Sequence, residues 1–316
     1  MKVRILLVAL VCALTGQAQA QSNYPSRPVR IVVPSPPAGG TDIIARVLAQ
    51  YFSNATGQQF YVENRAGAGN MIGIESVARA APDGYTLLFV PSTLALNSVM
   101  YKKISYDPVR DFAPITLAAV APNVLVVNPR VPARSIAELI ALAKQKPGQL
   151  TYGTPGIGTS PHMAMELFKS LADVDLQHIP YRGTAPAMTD VISGQITAMF
   201  SNALTAKPQI ESGAVRALGV SSRTRSESMP NVPPIAEAGV PNYEATQWYG
   251  LAAPAGTPPR LHAEATQALK TQDMKDKLAS DGAEPVGTTP AEFAAHIKSE
   301  LEKWANVARV AKIEPQ

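Results

Sequence analysis

The sequence predicts an α/β protein made of two lobes, and three observations predict it. Short apolar runs alternate with helix-patterned segments through most of the 316 residues, as strands and helices of a layered α/β structure do. The alternation starts afresh after "DFAPITLAAVAPNVLVVNP". Two long β-type passages, near 114–128 and 246–254, bracket the central block, as two crossovers between lobes would.

The elements follow in order. "VRIVV" reads as a strand and leads through "PSPPAGG" to a helix starting near Thr41, with Ile43, Ile44, Val47, Leu48, Tyr51 and Phe52 at helical spacing. Gly57 ends it as a C-cap glycine. "QFYVEN" runs through "RAGAGN" into a helix near Met71 to Ala80, and "YTLLFV" into one starting near Thr93. Ser135 and Glu138 form a capping box opening "SIAELIALAKQ". "LTYG" precedes "TPGIGTSPHMAMELFKSLA", where Ser160 suits the N-cap and Pro161 the first helical position. "QHIPY" leads into "RGTAPAMTDVISG", and "ITAMF" into "SNALTAKPQIESG". "VRALGV" is followed by a turn-rich stretch, then "TQWYGLAAPAG", helices near 259–280, and a second capping box at Thr289 and Glu292. That box opens a long amphipathic helix around Trp304, whose spacing to Leu301 and Val307 predicts a packed face. Trp248 falls in the second crossover, so it is expected to report lobe movement while Trp304 does not.

Residues 1–20, "MKVRILLVALVCALTGQAQA", read as a signal peptide: Lys2 and Arg4, a short apolar run, then Ala18-Gln19-Ala20 as the cleavage site. The expected product is exported to the periplasm. Cys12 is the chain's single cysteine and lies in that run, so the processed chain needs no disulfide and offers no cysteine zinc site. The formal charge of +4 would fall to +2 without Lys2 and Arg4, and the remaining basic residues are dispersed. Nucleic-acid binding finds no support in that pattern.

Three seams share one chemistry: "AGGTD" at 38–42, "GIGTS" at 156–160 and "RGTA" at 182–185. Each places glycine, then a hydroxyl residue, at the start of a helix. Glycine admits a ligand close to the backbone, and a first helical turn offers free N–H groups and the positive end of a dipole. A carboxylate suits such a place, though plain helix capping uses the same residues. No P-loop ending follows any seam, and "GAGNMIG" at 67–73 has one residue too many for a dinucleotide fingerprint. No nucleophile elbow or zinc-protease motif is present. His162, His178, His262 and His296 are scattered and are expected to be structural. Asp42 reads as a first-turn acid or an orienter of its loop. Arg65 and Arg182 are either carboxylate clamps or solvated surface residues.

With these residues in place, the chain resembles the Bug family, the periplasmic solute receptors of tripartite tricarboxylate transporters. The resemblance rests on an ordered set covering nearly the whole processed chain: "YPSRPVRIVVPSPPAGGTD", "VENRAGAGN", "ARAAPDGYTLL", "YDPVRDFAPIT", "NVLVVNP", "HIPYRGTAPAMTD", "MPNVPPIAEAG" and "GLAAPAGTP". It implies a two-lobed type II periplasmic binding fold, each lobe a mixed sheet flanked by helices. Lobe 1 would comprise 21–121 and 247–316, and lobe 2 would comprise 122–246. The implied function is binding of a small organic carboxylate by lobe closure and delivery to membrane components of the transporter, by a monomer without catalysis, cofactor or metal. The implied ligand contacts are Ala38, Gly39, Gly40 and Thr41 on one side. Thr154, Gly156, Thr159 and Ser160, with Gly183, Thr184 and Ala185, face them, and Asn70, Ser92, Thr93 and Asn202 are second contacts. Two departures stand out. Many relatives carry an aromatic residue where this chain has Ser35, and an acid where it has Ser201, which weakens the case for an amino-acid ligand. A hydrolase-type periplasmic enzyme on the same scaffold and a sensor for a signalling system are the alternatives.

Overall fold

A computed structural model describes residues 24–37, 40–258, 261–280, 282–310 and 313–315. The expectations for residues 1–20, Ala38 and Gly39 fall outside the described residues. Two mixed sheets flanked by helices make up the molecule, as expected.

The first sheet contains β1 (Val29–Val33), β2 (Phe60–Asn64), β3 (Thr86–Pro91), β4 (Phe112–Ala121), β10 (Gln247–Pro254) and β11 (Glu284–Pro285), in the order β11-β4-β10-β3-β1-β2. Strands β2, β1 and β3 run parallel, while β10 pairs antiparallel with both β3 and β4. The second sheet contains β5 (Asn123–Val127), β6 (Thr151–Thr154), β7 (Gln177–Pro180), β8 (Ala198–Asn202) and β9 (Arg216–Val220), in the order β7-β6-β8-β5-β9. Here β7, β6 and β8 are parallel, and β5 pairs antiparallel with both β8 and β9. The β-type passage read across 114–128 is therefore two strands in different sheets. Pro122 stands at the break, where its missing N–H ends the ladder.

Helices cover both faces of each sheet, so the strand residues alternate between two cores. Val29, Ile31 and Val33 pack on α1 (Gly40–Thr56) through Ile44, Leu48 and Phe52, while Val32 packs on the opposite face. Gly57 closes α1 with a left-handed φ of 70°, its N–H on the Ser53 carbonyl at 3.0 Å. On the other face lie α2 (Met71–Ala78) and α3 (Thr93–Met100). The second sheet is covered by α4 (Ile136–Gln145) and α5 (Ser160–Ala172) on one face. On the other lie α6 (Thr184–Ser193) and α7 (Ala203–Glu211). The Ser135 hydroxyl caps α4 by accepting from the Glu138 N–H at 3.2 Å. At α5 the expected register shifts by one. Thr159 is the N-cap with extended backbone, Ser160 is the first helical residue and Pro161 the second. Segment 259–280 holds two helices, α8 (His262–Lys270) and α9 (Gln272–Ser280), the second interrupted from the first at Thr271.

The last helix, α10 (Pro290–Val310), begins at the Thr289/Glu292 capping box, where Thr289 N–H donates to Glu292 Oε2 at 2.8 Å. Its two halves belong to different cores. Phe293 and Ile297 pack with Trp248 and Ala252 against the first sheet, and Trp304 and Val307 pack with Phe200 and Tyr243 against the second. Gly250 makes room for the first contact: a Cβ there would lie 2.0 Å from the Phe293 ring. Helix α3 divides in the same way, with Leu94 and Ala95 in the first core and Leu96 and Met100 in the second. Between the halves of α10, buried Glu300 accepts from both indoles, Trp248 Nε1 at 3.0 Å and Trp304 Nε1 at 2.8 Å. Trp304, expected from the sequence only to pack on its own helix face, shares a carboxylate oxygen with Trp248.

Candidate functional site

In both sheets the three parallel strands have the central member first in sequence, so connections leave it in opposite directions. A crevice opens outside the strand ends at such a switch point. The two crevices face one another and form a cleft of roughly 1010 Å³ lined from both sheets. Six helix N-termini reach its wall: α1 through Gly40 and Thr41, α2 through Asn70, α3 through Ser92 and Thr93, α5 through Thr159 and Ser160, α6 through Gly183 and Thr184, and α7 through Asn202 and Thr205. Each N-terminus carries about half a positive charge from its unpaired amides, so the cleft is built for an anion.

The structure brings together Gly40, Thr41, Asn70, Ser92, Thr93, Gly156, Thr159, Ser160, Gly183, Thr184, Ala185 and Asn202 of the expected residues. Thr154 lies behind the wall: it is fully buried, and its hydroxyl sits 2.7 Å from His178 Nε2. Ser35 and Ser92 line the cleft with buried hydroxyls that have no hydrogen-bond partner among the described residues, and Ser92 does not cap its own helix. Asn70 Nδ2 donates to Thr93 Oγ1 at 2.9 Å, and Asn123 Nδ2 to Ser160 Oγ at 2.9 Å. The Asn202 side chain accepts the Thr205 N–H at 2.9 Å.

The "GAGN" run follows from backbone sterics rather than nucleotide binding. Gly67, Ala68, Gly69 and Asn70 have φ values of 135°, 47°, 62° and 75°, a left-handed path that glycine and asparagine tolerate best. A Cβ on Gly69 would lie 2.5 Å from Tyr101 Oη, so the loop also closes tightly on that ring.

Among the described lining residues, Arg182 is the single charged side chain and no carboxylate is present. Arg182 is exposed, with no ion-pair or hydrogen-bond partner among the described residues. Arg65 is engaged elsewhere, on Glu63, and its guanidinium together with that of Arg30 holds the Glu63 carboxyl below its usual range. Asp42 orients the loop: Arg46 Nε and Asn64 Nδ2 each reach its carboxylate at 3.0 Å, and Asn64 Nδ2 also holds the Ser35 carbonyl at 3.1 Å. A second groove, roughly 860 Å³, mixes Lys207 and Lys275 with Glu227, Asp276 and Glu284 and favours neither sign of ligand. Among the described residues, no cluster of three or more His, Cys, Asp or Glu is placed to hold a metal.

The family described as the tripartite tricarboxylate transporter family receptor matches residues 44–312. The chain belongs to that family. Protein BugT of Bordetella pertussis is 36% identical to this receptor over 313 residues, covering 96% of each chain. An R. palustris protein solved with adipate is 36% identical, with a TM-score of 0.85 over 93% of the receptor and 100% of that chain. MatC from Rhodopseudomonas palustris with bound malate is 30% identical, with a TM-score of 0.81 over 90% of the receptor and 99% of that chain. The family consists of periplasmic transporter receptors that bind solutes, not of enzymes.

Sequence reasoning missed several lining residues of the receptor. Tyr101, Gln247 and Tyr249 reach the cleft from the end of α3 and from β10. Tyr249 is held by stacking on Phe89, centroids 6.3 Å apart, and Gln247 Nε2 donates to its hydroxyl at 2.9 Å. Nothing in "VMYKK" or "TQWYG" marks these as site residues, because their neighbours in the cleft are far away in sequence.

Proposed function

We propose that this receptor binds a small organic carboxylate in the cleft and delivers it to the membrane components of a tripartite transporter after export to the periplasm. The convergence of six helix N-termini on a cleft whose described lining has one arginine and no acid carries this reading. Backbone amides and hydroxyls of the 40–41, 156–160 and 183–185 segments would hold one carboxylate, and Arg182 would pair with the ligand's charge. The adipate and malate found in relatives belong to this chemical class. Residues 21–121 with 247–316, and 122–246, would act as closing lobes, because the two sheets draw their strands from these segments. Ligand contacts on both sides favour the closed arrangement only as far as they exist there alone.

A thermal-shift panel of mono-, di- and tricarboxylic acids beside neutral sugars and amines tests the reading. An acid at 100 times its dissociation constant should add about 2.7 kcal/mol. Arg182→Gln should weaken that acid roughly 10-fold or more, the loss of one charge-assisted bond of about 1.5–3 kcal/mol. Stabilisation by sugars or amines, with acids inert, would overturn the assignment.

Closure also has an optical consequence. Both indoles contact Glu300 at the join of the two cores, so ligand should change the emission of each. Trp248→Phe and Trp304→Phe should each leave a reduced but measurable ligand-dependent signal. A signal abolished by one substitution and untouched by the other would show that only one indole senses closure.

A further inference from the structure

Two imidazoles lie behind the second glycine loop, residues 155–159. The His162 and His178 rings stack with centroids 4.4 Å apart, and His178 stacks on Tyr152 at 4.9 Å. Each imidazole connects to the loop. Gly158 N–H donates to His162 Nδ1 at 3.3 Å. His178 Nε2 lies 2.7 Å from Thr154 Oγ1, which is 3.4 Å from the Gly156 carbonyl. That carbonyl also accepts the Thr159 hydroxyl at 2.7 Å. The loop needs such restraint, since Gly156 and Gly158 have φ of 149° and 76°, while Gly156, Ile157 and Thr159 face the cleft.

We propose that His162 and His178 are positioning residues of the ligand cleft: as an uncharged stacked pair they hold the loop where its amides and hydroxyls meet a carboxylate. The proposal rests on the carboxylate reading of the cleft. His162 Nδ1 accepts only when that nitrogen carries no proton, which places the ring proton on Nε2. The surroundings favour this state. Burial pushes His162 down to about 4, and neighbouring His178 and Lys169 act in the same direction, against Glu166. Glu166 is itself engaged by Lys169 and the Tyr152 hydroxyl. Strands β8 and β5, packed on α5, bring no ionisable side chain, and the Tyr243 hydroxyl is bound to the Ala164 carbonyl. Because folding depresses this pKa, the neutral contact is present above the unfolded value near 6.5 and is lost as pH falls through about 4.

The test uses the processed full chain, isotope-labelled for NMR, with adipate and malate as probes. His162→Asn keeps an acceptor near the Nδ1 position, and His162→Leu removes it. The leucine variant should show Gly158 amide exchange at least ten times faster and adipate affinity at least tenfold weaker. The asparagine variant should stay within threefold of the parent on both. In the parent, the Gly158 resonance should follow the His162 ring titration near pH 4, and in the asparagine variant it should not. Parent-like Gly158 protection in the leucine variant overturns the proposal. If that variant does not fold, a parent Gly158 resonance indifferent to His162 titration overturns it instead. Failure of both acids to bind the parent counts against the ligand reading alone, and Gly158 then still decides the role of the pair.

Discussion

The Gly40→Val receptor is expected to lose carboxylate binding beyond detection while remaining folded. Gly40 opens α1 at the cleft wall, and a Cβ there would lie 3.0 Å from Tyr249 Oη. Its backbone is not in the left-handed region, so valine is accepted without torsional strain. The two added methyl groups must then press on Tyr249 or project into the space where a ligand would approach the first amides of the helix. Tyr249 cannot withdraw freely, because its ring is stacked on Phe89 and nearly fully buried. The helix itself prefers valine to glycine by a few tenths of a kcal/mol, which keeps the midpoint near that of the parent. Thr41→Ala should be milder, about 0.5–1.5 kcal/mol for one hydroxyl contact. Calorimetry giving undiminished affinity in Gly40→Val would mean that this helix start is capped and nothing more.

The largest stability loss is expected from Glu300→Ala. One carboxylate oxygen serves both buried indoles, and the other pairs with Lys303. Removing it leaves two indole N–H groups without an acceptor in a site only 5% exposed. Breaking a buried charged network in this way costs about 3–5 kcal/mol, equivalent to a midpoint drop on the order of 10 °C in a chain of this size. Glu300→Gln retains an acceptor for the indoles and should recover roughly half of that. Scanning calorimetry checks both. An alanine variant that melts with the parent would show that water or a neighbouring group replaces the carboxylate.

Part of this site could be read in the sequence because it is written locally. A strand, a glycine, a hydroxyl residue and a helix occupy consecutive positions, so "AGGTD", "GIGTS" and "RGTA" disclose three helix starts before any folding. The other three, at Asn70, Ser92 and Asn202, surfaced only through the family resemblance: Ser92 and Asn202 follow Pro91 and Ser201 rather than a glycine, and Asn70, though it follows Gly69, offers an amide in place of a hydroxyl. The convergence of all six was invisible, since it depends on how two sheets face each other. Glu300 illustrates the limit most plainly. On a helical pattern an acid flanked by Ser299 and Leu301 reads as solvated surface, and only Trp248, fifty-two positions earlier, explains its burial. His162 and His178 were scattered histidines until α5 and β7 came together and stacked their rings.

The divided allegiance of α10 has a bearing on synthesis. The first core lacks Phe293 and Ile297, and the second lacks Trp304 and Val307, until nearly the whole chain exists. At roughly 5–20 residues per second, a ribosome needs about 15–60 s to reach these positions. Until α10 is made, the apolar surfaces that it covers beside both sheets stay open, available to any chaperone that captures unfolded chains. Because α10 closes two cores together, neither core is complete before it is made, and an incompletely packed chain is what the proposed export by a threading translocase would require.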